Sequence, residues 1–216
     1  MYRFGSSFIT AVKKVNLEIK DGTFISIVGP SGSGKTTLLN LIGLIGYPTS
    51  GKVFFNGEDT SKLSERERRK IRLRKIGFVF QTFNLIPSLK ALENVELPMA
   101  LAGLKLNTQR ERAIQLLKSV GLAHRLYHRP KELSAGEMQR VSIARALANN
   151  PSMILADEPT GELDTETGIN IVSLLLDLCK TQGKTLVVAT HDEKITKVAD
   201  KVYKIRDGFV ESGFNS

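Results

Sequence analysis

The chain is short of cysteine, of long apolar runs and of acids to balance its bases, and each shortage narrows what it can be. A single cysteine, Cys179, in 216 residues rules out an internal disulfide and is the pattern of a protein kept in a reducing compartment. Cys179 falls on a helical pattern with no placed partner to activate a thiol, so it reads as a small core residue. The longest apolar stretch, "TLLNLIGLIGYP" (37–48), is interrupted by Asn40. It falls short of the roughly 20 residues needed to span a bilayer. The opening "MYRFGSSF" lacks the apolar segment of a secretory signal. The expectation is a cytosolic protein that reaches a membrane only through a partner.

The acid shortage, 22 against 31 basic residues, leaves a formal net charge of +9. Much of the excess sits in "ERERRKIRLRK" (65–75). A nucleic-acid patch, a contact with an anionic membrane surface and a plain solvated helix all fit such a run. No aromatic residue interleaves it, which argues against single-strand binding, and the solvated helix is the reading adopted. With 41% hydrophobic and 25% charged residues the composition is that of a globular protein, long enough for one α/β domain with a small lobe.

Strand-like apolar runs alternate with helical patterns. "TFISIVG" (23–29), "KIGFVF" (75–80), "SMILAD" (152–157) and "TLVVAT" (185–190) read as buried strands, and residues 35–44, 140–149 and 166–181 as helices. Continuous apolar strands separated by helices imply a mostly parallel sheet covered on both faces. Residues 81–129 are helical in pattern, with Thr108 and Glu111 spaced as a capping box, and supply no strand. They are read as a helical lobe inserted into an α/β core made of 1–80 and 130–216, all one domain. The tail "KVYKIRDGFVES" predicts a hairpin turning at Asp207–Gly208. There is no internal repeat or low-complexity tract.

Five segments carry chemistry. "GPSGSGKTT" (29–37) fits G-x-x-x-x-G-K-[ST] between a strand and a helix, the setting of a P-loop. Gly29, Gly32 and Gly34, with Pro30, Ser31 and Ser33 between them, let backbone amides approach phosphates. Lys35 is placed for the β- and γ-phosphates, Thr36 for Mg2+ and Thr37 for an inner phosphate. "MILADEP" (153–159) is a strand ending in two acids. Asp157 suits Mg2+, and Glu158 suits polarising a water for in-line attack. His191 in "VVATHD" follows another strand, where open α/β sheets bind ligands, and is placed for a γ-phosphate. Gln81 follows "GFVF" in the same way and is a candidate sensor of Mg2+ or water. In "ELSAGEMQRVSIARAL" (132–147) Ser134 and Glu137 are spaced as a capping box. Ala135 and Gly136 leave amides at the positive end of a helix dipole. His124 and His128 read as surface residues.

Taken in order, "GPSGSGKTT", Gln81 before "TFNLIP", "LSAGEMQR", "ILADEPTGELD" and "THD" resemble an ATP-binding cassette ATPase subunit over essentially the whole chain. The stretch "QTFNLIPSLKALENVELPMAL" (81–101) is most similar to the lipoprotein-releasing and macrolide-exporter type. The resemblance implies a P-loop NTPase core with an N-terminal antiparallel β portion, and ATP hydrolysis with Mg2+ driving transport through separate transmembrane permease subunits. It implies that the subunit sits peripherally on the cytoplasmic side of the cell membrane and binds no nucleic acid. It also implies a head-to-tail homodimer around two ATPs, in which Ser134 and Gly136 serve the partner's γ-phosphate and Asp164 lies in a loop crossing the dimer axis. Tyr2 matches the aromatic that stacks on adenine.

The signature reads LSAGE where the family has LSGGQ; a capping role would turn Glu137 away from a phosphate. Phe83, Leu85 and Ile86 form an apolar stretch expected to face a membrane partner. An ATP switch of the cell-division kind and a DNA-associated cassette are the alternatives. The second would carry a coiled coil between phosphate loop and signature, and none is present.

Overall fold

The computed structural model describes the backbone of residues 2–4 and 7–214 and the side chains of 10–192 and 195–211. A six-stranded sheet has the order β10-β9-β3-β8-β7-β6. Its members are β3 (Phe24–Val28), β6 (Ile76–Val79), β7 (Met153–Asp157), β8 (Thr185–Thr190), β9 (Lys201–Arg206) and β10 (Phe209–Phe214). The first five run parallel and β10 returns antiparallel to β9. The hairpin turns where expected: Asp207 and Gly208 have φ of 50° and 83°, the double left-handed pair of a tight primed turn. Two small antiparallel pairs, β1 (Tyr2–Phe4) with β2 (Ser7–Ile9) and β4 (Phe54–Phe55) with β5 (Glu58–Asp59), lie in the first 60 residues.

The strands are apolar throughout because both faces are covered. Val187 and Ala189 of β8 point to one core, shared with Leu38 and Leu39. Leu186 and Val188 point to the other, shared with Val141, Ile143 and Ile171. The first core packs under α1 (Lys35–Ile42), and the second under α5 (Ala135–Leu147) and α6 (Thr165–Thr181). Helix α5 begins five residues before the predicted 140, because Ser134 and Glu137 close the capping box at its head. Between β6 and β7 the chain holds α3 (Ala91–Leu101) and α4 (Leu106–Ser119), which pack on each other and on α5. Residues 81–129 contain no strand among those described. Thr108 is not a cap: α4 already starts at Leu106, two residues earlier, and the buried Gln109 ties its first turn back to the Leu104 carbonyl at 2.7 Å.

Helix α2 (Glu65–Lys75) is not simply solvated. Arg68 is 1% exposed and donates to the carbonyls of Leu44 (3.1 Å) and Gly46 (2.6 Å). Its guanidinium lies 3.8 Å from the Tyr47 ring centroid. Arg72 donates to the same Leu44 carbonyl at 2.7 Å. Leu44, at φ 58°, ends the turn after α1, and its carbonyl has no helical partner. Arginine is the side chain that can bury a long stem and still deliver several donors there.

Candidate functional site

The loop of residues 29–34 joins β3 to α1. Gly34 caps α1 in the left-handed region (φ 109°), and with no side chain it leaves the first-turn amides uncapped by any side-chain acceptor. A Cβ on Gly34 would stand 2.3 Å from the Ala11 carbonyl oxygen, and one on Gly29 2.1 Å from that of Ile205. Close packing therefore requires glycine at both positions, and at Gly34 the left-handed φ requires it as well. The Ser33 hydroxyl is buried without a partner, while Ser31 is exposed.

Lys35, Thr36, Asp157, Glu158 and His191 converge at the carboxyl ends of β3, β7 and β8, although they come from three separate motifs. Lys35 Nζ donates to the carbonyls of Gly29 (2.8 Å) and Pro30 (3.3 Å) and lies 3.4 Å from Glu158 Oε1. Both side chains of that pair are largely buried. Glu158 Oε2 accepts from the His191 amide at 3.3 Å and lies 3.1 Å from His191 Nδ1. The His191 ring itself is mostly exposed. Glu158 sits at φ 43°, uncommon for a residue with a side chain, and is held there by its N–H bond to the Ala189 carbonyl at 2.8 Å.

Burial raises the Asp157 carboxyl above its ordinary pKa, and the Glu158 charge adds to this; a hydrogen bond from Thr36 and the Lys35 charge pull the other way. Asp157 Oδ1 is buried with no hydrogen-bond partner. One orphaned carboxylate oxygen beside the Thr36 hydroxyl is an all-oxygen donor pair, which suits a hard cation. Among the described residues no cluster of three or more His, Cys, Asp or Glu could cage a metal. The pair thus fits Mg2+, which characteristically takes one or two protein ligands and completes its shell with water and substrate phosphates. An open cleft of about 610 Å³, lined in part by Gly29, Pro30 and His191, adjoins the loop.

The remaining candidates lie elsewhere. Gln81 turns its amide to Glu162 Oε1 at 3.1 Å and rests against Gly161, so it faces the loop after β7. Ser134 accepts from the Glu137 amide at 3.2 Å, and Glu137 Oε2 accepts from the Ser134 amide at 2.9 Å. Arg125 holds the other Glu137 oxygen at 2.8 Å, and these contacts keep the Glu137 carboxyl below the usual carboxylate range, the Ser134 amide bond most of all. Glu137 is thus turned to its own helix end. Gly136 abuts Thr167 of α6, where a Cβ would approach Thr167 Cγ2 to 2.7 Å. Asp164 caps α6, accepting from the Thr167 amide (2.9 Å) and hydroxyl (2.6 Å). The Tyr2 side chain lies outside the described residues.

Two positioning residues are invisible to motif reading. Gln139, fully buried on α5, donates to the Pro159 carbonyl at 2.6 Å and fixes the backbone just after Glu158. Arg145 donates to the carbonyls of Phe83 (2.7 Å) and Asn84. Those two residues are consecutively left-handed, at φ 59° and 48°. Burial lowers the Arg145 pKa to about 10. The signal for both was a long polar side chain at an inward-facing position of an otherwise apolar helix face.

The family model described as "ABC transporter" matches residues 12–161. An uncharacterized ABC transporter ATP-binding protein of Methanocaldococcus jannaschii, MJ0796, is 51% identical over 97% of this chain and 91% of its own length. A solved structure of that cassette, described as a dimer in a post-hydrolysis state bound to ADP and Pi, matches with a TM-score of 0.91 over 99% of this chain and 94% of that one. The lipoprotein-releasing system ATP-binding protein LolD 2 of Caulobacter vibrioides is 44% identical over 98% of this chain and 92% of its own. A macrolide export ATP-binding/permease protein, MacB, of Syntrophobacter fumaroxidans is 44% identical over 97% of this chain, which spans 30% of that longer protein. With its phosphate loop, strand-end acids and signature turn in family order, the chain belongs to the ATP-binding cassette family of ABC transporters.

Proposed function

We propose that the chain binds Mg·ATP on its phosphate loop and hydrolyses it as the ATPase subunit of a membrane transporter, working in pairs. The observation that carries this reading is the chain of contacts from Lys35 through Glu158 to His191 at the phosphate loop, with the Thr36–Asp157 pair beside it. Lys35 and the amides of 32–37 receive the phosphates. Thr36 and Asp157 would hold Mg2+, which when bound neutralises charge on the phosphate oxygens; Gln81, whose amide meets Glu162 in this structure, would add a further oxygen donor only by turning its side chain toward the ion. Glu158 takes the proton of the attacking water. His191, anchored to Glu158, orients it and contacts the γ-phosphate. Tyr2 stacks on adenine.

In this reading the Ser134–Gly136 turn serves the nucleotide of a second copy, head to tail. Within one chain the contacts of that turn go to Glu137 and Thr167. Two-fold pairing gives each site one phosphate loop and one signature. Asp164, at the head of α6, faces the partner.

The subunit works peripherally on the cytoplasmic side of the membrane, with 81–129 acting as a helical lobe on a core of 1–80 and 130–216. Its membrane subunits dock an apolar cytoplasmic segment in the groove of about 410 Å³ between α2, β6, α3 and α5, whose lining includes Ile45, Leu73, Phe78 and Phe80. The loop of 83–86 rims this groove. Ile86 is exposed, whereas Leu85 packs against the larger core, so the apolar stretch expected to face a partner is only partly available.

An ATP titration at low protein concentration tests the paired site. Lys35→Ala should weaken binding to the monomer, whereas Ser134→Arg should leave monomer affinity within about two-fold and block ATP-dependent dimerisation and turnover, each ten-fold being about 1.4 kcal/mol. Equal affinity losses in the two variants would place both motifs in one site of one chain and end the head-to-tail reading.

A further inference from the structure

Helix α2 divides its charges between two faces. Arg68 and Arg72 turn inward, and Glu65 pairs with both, at 3.7 Å and 2.5 Å. Glu67 is spent on the capping box with Ser64. The outward face carries Arg66, Arg69, Lys70 and Arg74, all exposed and none of them in an ion pair among the described residues. At 100° per residue these four fall within an arc of about 140°. The half-buried Leu73 lies within that arc; no acid does. Lys70 does act on Glu67 through space, one turn away at the edge of the face. Arg69 also lines the groove assigned above to the membrane subunits, so the cationic face and the groove form one continuous surface.

We propose that this outer face of α2 rests on the anionic phospholipid headgroups of the leaflet around the membrane subunits. The proposal rests on the transporter reading for the direction in which the face looks. Charge decides the occupant. Cytoplasmic loops of membrane proteins carry an excess of Lys and Arg, which this face repels, whereas the leaflet beside them is anionic. The face exposes no aromatic or large apolar residue for insertion, so it makes a surface contact, strong at low salt and screened at high salt. The absence of aromatics also removes the stacking platform that single-stranded nucleic acid needs.

The test uses the whole chain, with phosphatidylcholine vesicles that contain or lack about one third phosphatidylglycerol, in sedimentation assays at about 0.05 M and about 0.5 M salt. Wild type should bind the anionic vesicles at low salt and release at high salt. Arg66→Gln/Lys70→Gln/Arg74→Gln, which spares the groove residue Arg69, should lose about 100-fold, near five-fold per charge. Its basal ATP hydrolysis should match wild type, showing that it folds and that the phosphate site is separate. A triple variant with equal charge loss at the exposed Lys105, Lys118 and Lys180 should lose less than about three-fold if the face rather than net charge acts. Equal losses in the two triples would overturn the proposal, as would no preference of wild type for anionic vesicles. Duplex DNA held more tightly than the vesicles through the same three residues would assign the face to nucleic acid instead. Vesicle binding needs neither ATP nor a membrane subunit, so its outcome is independent of the transporter reading, which the ATP titration tests.

Discussion

Replacing Glu158 by Gln removes one proton acceptor and little else. The side chain keeps its length, and the backbone bond to Ala189 that fixes the left-handed turn is untouched. Lys35 loses its carboxylate neighbour but keeps the Gly29 and Pro30 carbonyls, so no buried cation is orphaned. Asp157 is relieved of a like charge that now pushes its pKa upward. These terms oppose one another, so stability should change by less than about 1 kcal/mol, or about 2–4 °C in melting temperature for a chain of this size. Loss of a general base should slow turnover by about 10²–10⁴-fold, equivalent to about 3–5 kcal/mol of barrier. ATP binding persists, so ATP-bound dimer should accumulate. Phosphate release at steady state measures the first effect and size-exclusion chromatography with ATP the second. Turnover within about three-fold of wild type, by an enzyme that melts normally, would refute the assignment of Glu158 as the base.

Four further outcomes follow from contacts described above. Asp157 has a folded-state pKa raised above its unfolded value, so its ionised form opposes folding once pH exceeds the unfolded value of about 3.9. Asp157→Asn should therefore melt above wild type at pH 7, with the gap closing toward pH 4, while Mg2+-dependent hydrolysis is lost; an unchanged melting temperature at pH 7 would show that burial does not strain the carboxylate. Arg68→Ala strips the Leu44 and Gly46 carbonyls of a buried donor and should cost about 2–4 kcal/mol, read by urea denaturation. Arg145→Met removes the donors that hold Phe83 and Asn84, so amide exchange should quicken across 83–90 and stay slow in α1; uniform quickening would mean that Arg145 supports the whole fold. Leu85→Gln should lower the melting temperature, whereas Ile86→Gln should not and should instead weaken coupling to a membrane subunit, measured as the ATPase response on reconstitution.

The parts of the fold legible in the sequence are those set by short-range rules. β8 is read to the residue because its apolar run is bounded on both sides, by Lys184 and by His191. The Asp207–Gly208 turn and the Ser134–Glu137 box are local chemistry, and both occur as read. The turn of 29–34 and the acids ending β7 are legible because both are short motifs set at the end of an apolar strand. Thr108 misleads because a capping spacing is common, and the actual helix start is fixed by the bond from Gln109 to Leu104. The charged run of α2 misleads for the opposite reason: composition gives no hint that Arg68 is needed by carbonyls 22 and 24 residues away. Long-range backbone acceptors form no motif in the sequence, and Gln139 and Arg145 show there only as long polar residues on an apolar helix face.

The arginines of α2 have a mechanical consequence. Helix α1, about 12 Å long at 1.5 Å per residue, has the phosphate loop at its head. The turn beyond its tail is fastened by Arg68 and Arg72 through the Leu44 carbonyl, and Arg72 also lines the groove. A displacement at either end is therefore carried to the other by a short, stiff strut with little slack. Thermodynamic reciprocity then sets a constraint on any occupant of that groove. If ATP changes the occupant's affinity by some factor, the occupant must change the affinity for ATP by the same factor.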